Sequence, residues 1–374
     1  MLSSAGTKVR VLVALLLAAV LLLAACSSGE SSSGAAARDL CSPPGPGSAT
    51  AAPTNVEVGS ETTVDRYTTD SVIPLDQIDT SRLNLITPGV LTVGTLTDAP
   101  PSICINSENQ FSGYDNELLK AIAAKLGLQI NFVGTEFTGL LAQVAAHRFD
   151  VGSASIGTTD ERRDIVGFTN SYDFGYNSLV APTDGPIQGF DDLNSSTRIG
   201  VVQGTQQDDY VRNTLGLDPV EFPDYATLYA NLLSGQIDVW VAGSPQAEGI
   251  VEPGDPMSVV QNSFIPDNVA AWAVAKENQP LIDALNSGLD AIIADGTWAR
   301  LYSDWEPRPL PESWKPGSKA APTPDLPDFA ALAALNPQNT TEIPAAQPKS
   351  TLQQLKDTFF NWDLYVRAFP DLLK

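Results

Sequence analysis

The chain has 374 residues, yet only one histidine, three cysteines and two methionines. Positive charge is also scarce: 21 lysines and arginines stand against 44 acids, for a net charge of −23. That balance argues against nucleic-acid binding, which needs basic patches, and suits an exported soluble protein. The single histidine, His147, cannot build a metal site by itself. It sits at a turn before a strand and reads as a surface residue. No metal and no cofactor is expected. The apolar run from Val11 to Ala25 has 15 residues, short of the roughly 20 that span a bilayer.

That run is preceded by Lys8 and Arg10 and ends in Leu23-Ala24-Ala25-Cys26, then Ser27-Ser28-Gly29. Its length is that of a secretory signal peptide, placed at residues 1–25. Small residues before a cysteine resemble the bacterial lipobox. The resemblance implies cleavage before Cys26, lipidation of that cysteine with palmitate-like chains, and anchoring on the extracytoplasmic face of the cell membrane. At roughly 0.8 kcal/mol per buried CH₂, two acyl chains hold firmly. An ordinary cleaved signal with a chance cysteine is the alternative. Residues 26–87 are rich in Ser, Gly, Ala, Pro and Thr, and read as a flexible tether that buries too little to offset its ordering entropy. Cys41 and Cys104 remain, in an oxidising compartment, either as a disulfide pinning the tether to the folded part or as two thiols.

From Val90 onward strands and helices alternate. Val90 to Gly94 is a strand. Asn116 to Leu126 is a helix with Leu118, Leu119, Ile122 and Leu126 on one face, and Asp115 is placed to cap it. Thr138 is placed to cap the next helix. A second alternating unit runs from Arg198 to Val241, with helices capped at Thr205 and Asp224, and a long helix follows from Pro280 to Ala294. Such alternation predicts an α/β fold. Residues 307–349 form a proline-rich linker. Residues 350–374 carry leucines and aromatics without a long apolar run. They read as an interfacial amphipathic tail helix. They also resemble the segment before the first membrane helix of amino-acid ABC permeases, which leaves a remnant of a binding-protein–permease fusion, a docking segment, or a helix packed on the lobes.

Several segments carry a resemblance: Leu91-Thr92-Val93-Gly94-Thr95, Phe111 to Leu128, Phe137-Thr138-Gly139-Leu140-Leu141, Arg148-Phe149-Asp150-Val151, Thr159 to Thr169, Gly200 to Thr205, Gly235 to Val239 and Ala294 to Tyr302. In their order and spacing they resemble the polar-amino-acid-binding family of periplasmic solute-binding proteins. The resemblance implies a type II periplasmic-binding-protein fold. Each of its two lobes is a mixed sheet flanked by helices, and two hinge strands join them. Residues 88–174 plus 271–306 would form the first lobe and 175–270 the second, closing on ligand by hinge motion. It also implies an ABC permease with its ATPase as partners, and a small carboxylate-bearing solute as ligand, most simply a polar amino acid.

Residue by residue, Arg162 matches the arginine that grips the ligand α-carboxylate, a task suited to its two-pronged, always-charged donor fork. Thr205 and Gln206 match backbone donors at a helix start. Phe137 matches an aromatic wall, and Ser155 and Gly157 lie on the stretch that lines the ligand. The departures concern the ligand ammonium. Gly243 stands where the family has an acid, Leu96 replaces another aspartate, Ala99 and Ser102 replace aromatics around Pro100-Pro101, and Gly157 replaces a hydroxyl residue. Asp98 or Glu136 is expected to substitute, unless the ligand lacks an ammonium. A sensing role, or a dehydratase-like activity on the same fold, is the alternative to transport. With only Asp98 and Glu136 as titratable candidates for the cleft, no enzyme is expected.

Overall fold

The computed structural model describes residues 39–48, 67–251, 255–263, 269–310 and 314–335. Cys26, the signal peptide and the tail at 350–374 lie outside the described residues.

Two five-stranded sheets organise the chain. In the first, the order is Gln129–Gly134, Val90–Thr95, Val151–Ser153, Ala273–Val274 and Gly167–Phe168. The first three strands are parallel, with Leu91 opposite Ile130 and Val93 opposite Val151. Ala273–Val274 runs antiparallel to both its neighbours. In the second sheet the order is Val220–Phe222, Ile199–Val202, Val239–Gly243, Asn177–Pro182 and Met257–Ser263. Here Asn177–Pro182 is antiparallel to both flanking strands. The chain passes between the sheets at Asp173–Phe174 and again at Val269–Ala270, and these two segments pair antiparallel. The fold is therefore α/β with two mixed sheets and a double connection.

The helix Tyr114–Lys125 follows the predicted pattern, and Leu118, Leu119 and Ile122 are fully buried. Its packing partner is the helix Gln279–Ala294, whose Leu281, Leu285, Leu289 and Ile292 are buried in the same cluster. At about 1.5–3 kcal/mol for each fully buried aliphatic side chain, this face is a main stabiliser of the first lobe.

Two capping expectations are corrected. Gly113 is the N-cap of Tyr114–Lys125, and Asp115 lies within the first turn with its side chain turned away. Gly139 is the N-cap of Leu140–Ala145, while the hydroxyl of Thr138 donates to the Gln203 carbonyl of the second lobe at 3.3 Å. Thr205 and Asp224 do cap their helices.

The segments read as tether and linker are also corrected where they are described. Leu83 is only 2% exposed, and Leu75, Ile78 and Leu85 pack on the core of the first lobe. Asn278 donates to the Leu83 carbonyl at 2.9 Å, and Ser287 to that of Ile73 at 2.7 Å. Cys41 is joined to Cys104 by a disulfide. After residue 308, Trp314 and the helix Phe329–Leu335 bury Trp314, Phe329 and Ala333 in the same cluster. These anchors are isolated apolar residues among prolines and polar residues. They lack a period, so composition outweighed them in the sequence reading. Among the described residues, no helix is long and apolar enough to cross a membrane.

Candidate ligand-binding site

The loops at the facing ends of the two sheets enclose a narrow cavity of ≈ 40 Å³. Arg162, Phe137, Ser155, Gly157, Thr205 and Gln206 all line it. The sequence separates these residues by up to 69 positions, and the fold brings them together.

Arg162 sits on the helix Asp160–Ile165, which is capped by Thr159. Its guanidinium donates to the Gly157 carbonyl through Nη1 and to the Gly204 carbonyl through Nη2, both at 3.0 Å. The second bond crosses between lobes. Below it lies Phe137, with the ring centroid 5.2 Å from Cζ. Arg162 is 7% exposed, and burial pulls its pKa down to about 10, so it stays cationic at neutral pH. Among the described residues it forms no ion pair. Asp209 and Glu161 oppose the effect of burial without pairing to it, and a buried cation held by two carbonyls and an aromatic face, with no close ion pair, is arranged to receive an anion.

Ser155 has a left-handed backbone, φ 45°. Its N–H donates to Asp115 Oδ2 at 2.7 Å, and Tyr172 donates to the same oxygen at 2.6 Å. Asp115, misread as a cap, thus fixes the cavity wall. Burial pushes its carboxyl up to about 7 against these hydrogen bonds. At Gly157, a Cβ would stand 1.9 Å from Gln206 Oε1, so the glycine makes room for the Gln206 side chain. The Thr205 hydroxyl is engaged locally, accepting from the Asp208 amide and donating to the Val202 carbonyl.

The two candidate ammonium partners lie elsewhere. Asp98 Oδ2 accepts from the backbone amides of Tyr225 and Ala226, at 2.9 and 3.1 Å, at the start of the helix Tyr225–Leu233. Burial raises its pKa, and those two amides oppose the rise. Glu136 is exposed. Both line a second, wider groove of ≈ 310 Å³ together with Leu96 and Asp224. Neither is among the residues around Arg162.

Sequence reasoning missed the groups that do complete the cavity: Gln207, Gln246, Asp173, Tyr176 and Tyr225. Gln246 stands three residues past Gly243, and that absence of an acid was the one signal that could have led to it. Asp173 belongs to the connection between the lobes and pairs with Arg308 at 3.1 Å. Burial raises its carboxyl, and Arg308 opposes the rise. No three His, Cys, Asp or Glu side chains converge as metal ligands among the described residues.

Known proteins match this frame. The L-cystine-binding protein TcyJ of Escherichia coli strain K12 is 27% identical over 220 residues, covering 58% of this chain and 82% of that protein. The ABC transporter arginine-binding protein 1 of Escherichia coli strain K12 is 25% identical over 229 residues, covering 58% of this chain and 91% of its own. Among solved structures, the ancestral amino acid-binding protein AncCDT-1, a precursor of cyclohexadienyl dehydratase, is 26% identical with a TM-score of 0.53, covering 58% of this chain and 95% of its own. The family profile described as bacterial extracellular solute-binding proteins, family 3, matches residues 91–308. Apart from Val90, both sheets, both connections and Arg162 fall within that match, and the chain belongs to the bacterial extracellular solute-binding proteins, family 3, with their type II periplasmic-binding-protein fold.

Proposed function

We propose that the chain is the lipid-anchored receptor of an ABC importer and captures an α-amino acid by its carboxylate. The observation that carries this reading is Arg162: a buried, cationic guanidinium facing the cavity, on which Asp209 and Glu161 act electrostatically but with which no carboxylate among the described residues forms an ion pair. A ligand carboxylate would supply the close ion pair. The stacked Phe137 and the two carbonyls hold the fork in place for it. The contacts from Arg162 to Gly204 and from Thr138 to Gln203 join the lobes in the closed arrangement that a captured solute would share.

The first test is calorimetric titration of the full-length chain with the standard amino acids, cystine and ornithine, on the wild type and on Arg162→Ala. Removing one partner of a desolvated ion pair costs about 3–5 kcal/mol, more than a hundredfold in affinity. Loss below about fivefold would contradict the role of Arg162. For the anchor, a fatty-acid analogue should label the wild type in cells but not Cys26→Ala; equal labelling removes that part of the reading.

A further inference from the structure

Beyond the carboxylate, the cavity contains an unusual feature at the place where an acid is missing. Gly243 ends the strand Val239–Gly243, and the helix Ser244–Ile250 begins immediately after it. If Gly243 carried a Cβ, that atom would stand 2.6 Å from Gln246 Oε1. The amide of Gln246 has moved into the volume that a side chain at 243 would fill. Gln246 is 5% exposed and lines the same cavity as Arg162.

The orientation of this amide is fixed by its neighbours. Ser102, on the first lobe, donates its hydroxyl proton to Glu306 Oε1 at 2.9 Å. Burial raises the Glu306 carboxyl to about 8, and Arg308, which lies against the other oxygen, opposes the rise. With its one proton committed, Ser102 can only accept from Gln246, and it does so from Nε2 at 3.3 Å. The nitrogen therefore faces Ser102, and Oε1 takes no hydrogen bond from any described residue. The hydrogen-bonded chain of Glu306, Ser102 and the Gln246 amide polarises that oxygen further. Asp173, paired with Arg308, lies on the same cavity wall.

Resting on the reading that Arg162 holds an α-carboxylate, we infer that Gln246 Oε1, oriented by Ser102 and Glu306, is the acceptor for the ligand's α-amino group. A neutral amide thus does the work of an acid at position 243. The consequence is a site that needs a hydrogen-bond donor beside the carboxylate and is only moderately selective for its charge. Because Gln246 and Ser102 belong to different lobes, the acceptor is aimed only when the lobes meet.

The experiment takes the tightest-binding amino acid from the screen above and its deaminated analogue, for example L-arginine with 5-guanidinopentanoate or L-cystine with 3,3′-dithiodipropionate. Both are titrated into the full-length wild type, Gln246→Leu, Gln246→Glu, Ser102→Ala and Arg162→Ala. On the wild type the amino acid should bind roughly tenfold or more tightly than its analogue, the span of one hydrogen bond to a charged group. Gln246→Leu should erase that ratio while leaving the analogue's affinity unchanged. Gln246→Glu should widen it, and Ser102→Ala should narrow it. If Gln246→Leu and Gln246→Glu both leave the ratio at its wild-type value, the inference is wrong while the carboxylate reading stands. If Arg162→Ala binds both ligands as the wild type does, or if no amino acid binds the wild type, the carboxylate reading itself fails and the inference with it. Should Gln246→Leu fail to fold, the Glu variant, of nearly equal volume, decides alone.

Discussion

Asp98 of the first lobe accepts the backbone N–H of Tyr225 in the second lobe at 2.9 Å. The same oxygen takes the N–H of Ala226, so one carboxylate caps the opening turn of a helix across the cleft. A carboxylate at a helix start is favoured by the exposed amides and by the helix dipole. Here that favourable contact exists only while the lobes are together.

Asp98→Ala should therefore weaken every ligand alike. Losing a charged cap costs about 0.5–2 kcal/mol, or roughly 2–30-fold in affinity. The check is calorimetry with an amino acid and its deaminated analogue on this variant. A loss confined to the amino acid would return Asp98 to the role of ammonium partner and overturn its assignment as a clasp.

Closure also depends on the helix Ser244–Ile250. At Gly249 an added Cβ would meet the Pro100 carbonyl oxygen at 2.4 Å and Pro101 Cδ at 2.3 Å, on the other lobe. Backbone and a proline ring cannot yield cheaply, so Gly249→Val should hold the lobes apart. Small-angle scattering with saturating amino acid should show the wild type contracting and the variant remaining extended. Contraction in both would show that the contact is dispensable.

Stability should rise as the solution is made mildly acidic. The buried Asp115 carboxyl titrates at about 7 in the folded chain, against about 3.9 when unfolded. Between these values the folded state holds a proton that the unfolded state releases. The contribution is complete below about pH 4 and is lost as pH rises through 7. Burial shifts Asp98, Asp150 and Glu248 in the same direction. The net charge of −23 adds self-repulsion at high pH. Scanning calorimetry should give a higher melting temperature at pH 5.5 than at pH 8, and Asp115→Asn should flatten the profile. A melting temperature that climbs with pH would refute this.

The parts of the fold with strong period were legible. Leu118, Leu119 and Ile122 announce their helix because three- and four-residue spacing puts them on one face. Asn177–Pro182 and Met257–Ser263 were not read as strands, since the first is buried on both faces and the second is mostly polar. At the site, Arg162 and Phe137 were placed by resemblance and do meet in the cavity. Asp115 was misassigned because a capping rule is local, whereas its partner Ser155 is 40 residues away. The amides that claim Asp98 come from the other lobe, so no local pattern could show them. Gln246 was invisible because a glutamine has no distinctive pattern until the space beside Gly243 is seen.

The segments outside the matched 91–308 region have a mechanical consequence. Cys41, Leu83, Trp314 and Phe329 all join the core cluster of the first lobe, and none joins the clusters that contain Trp240 or Val241 of the second. Gly317 and Lys319 donate to Ser171 and Thr69, again on the first lobe's side. Among the described residues, one jaw is thus thickened and braced by chain from both directions, and none of these four side chains joins the other. If the lobes part on a hinge, the braced one carries this added chain with it as a single body.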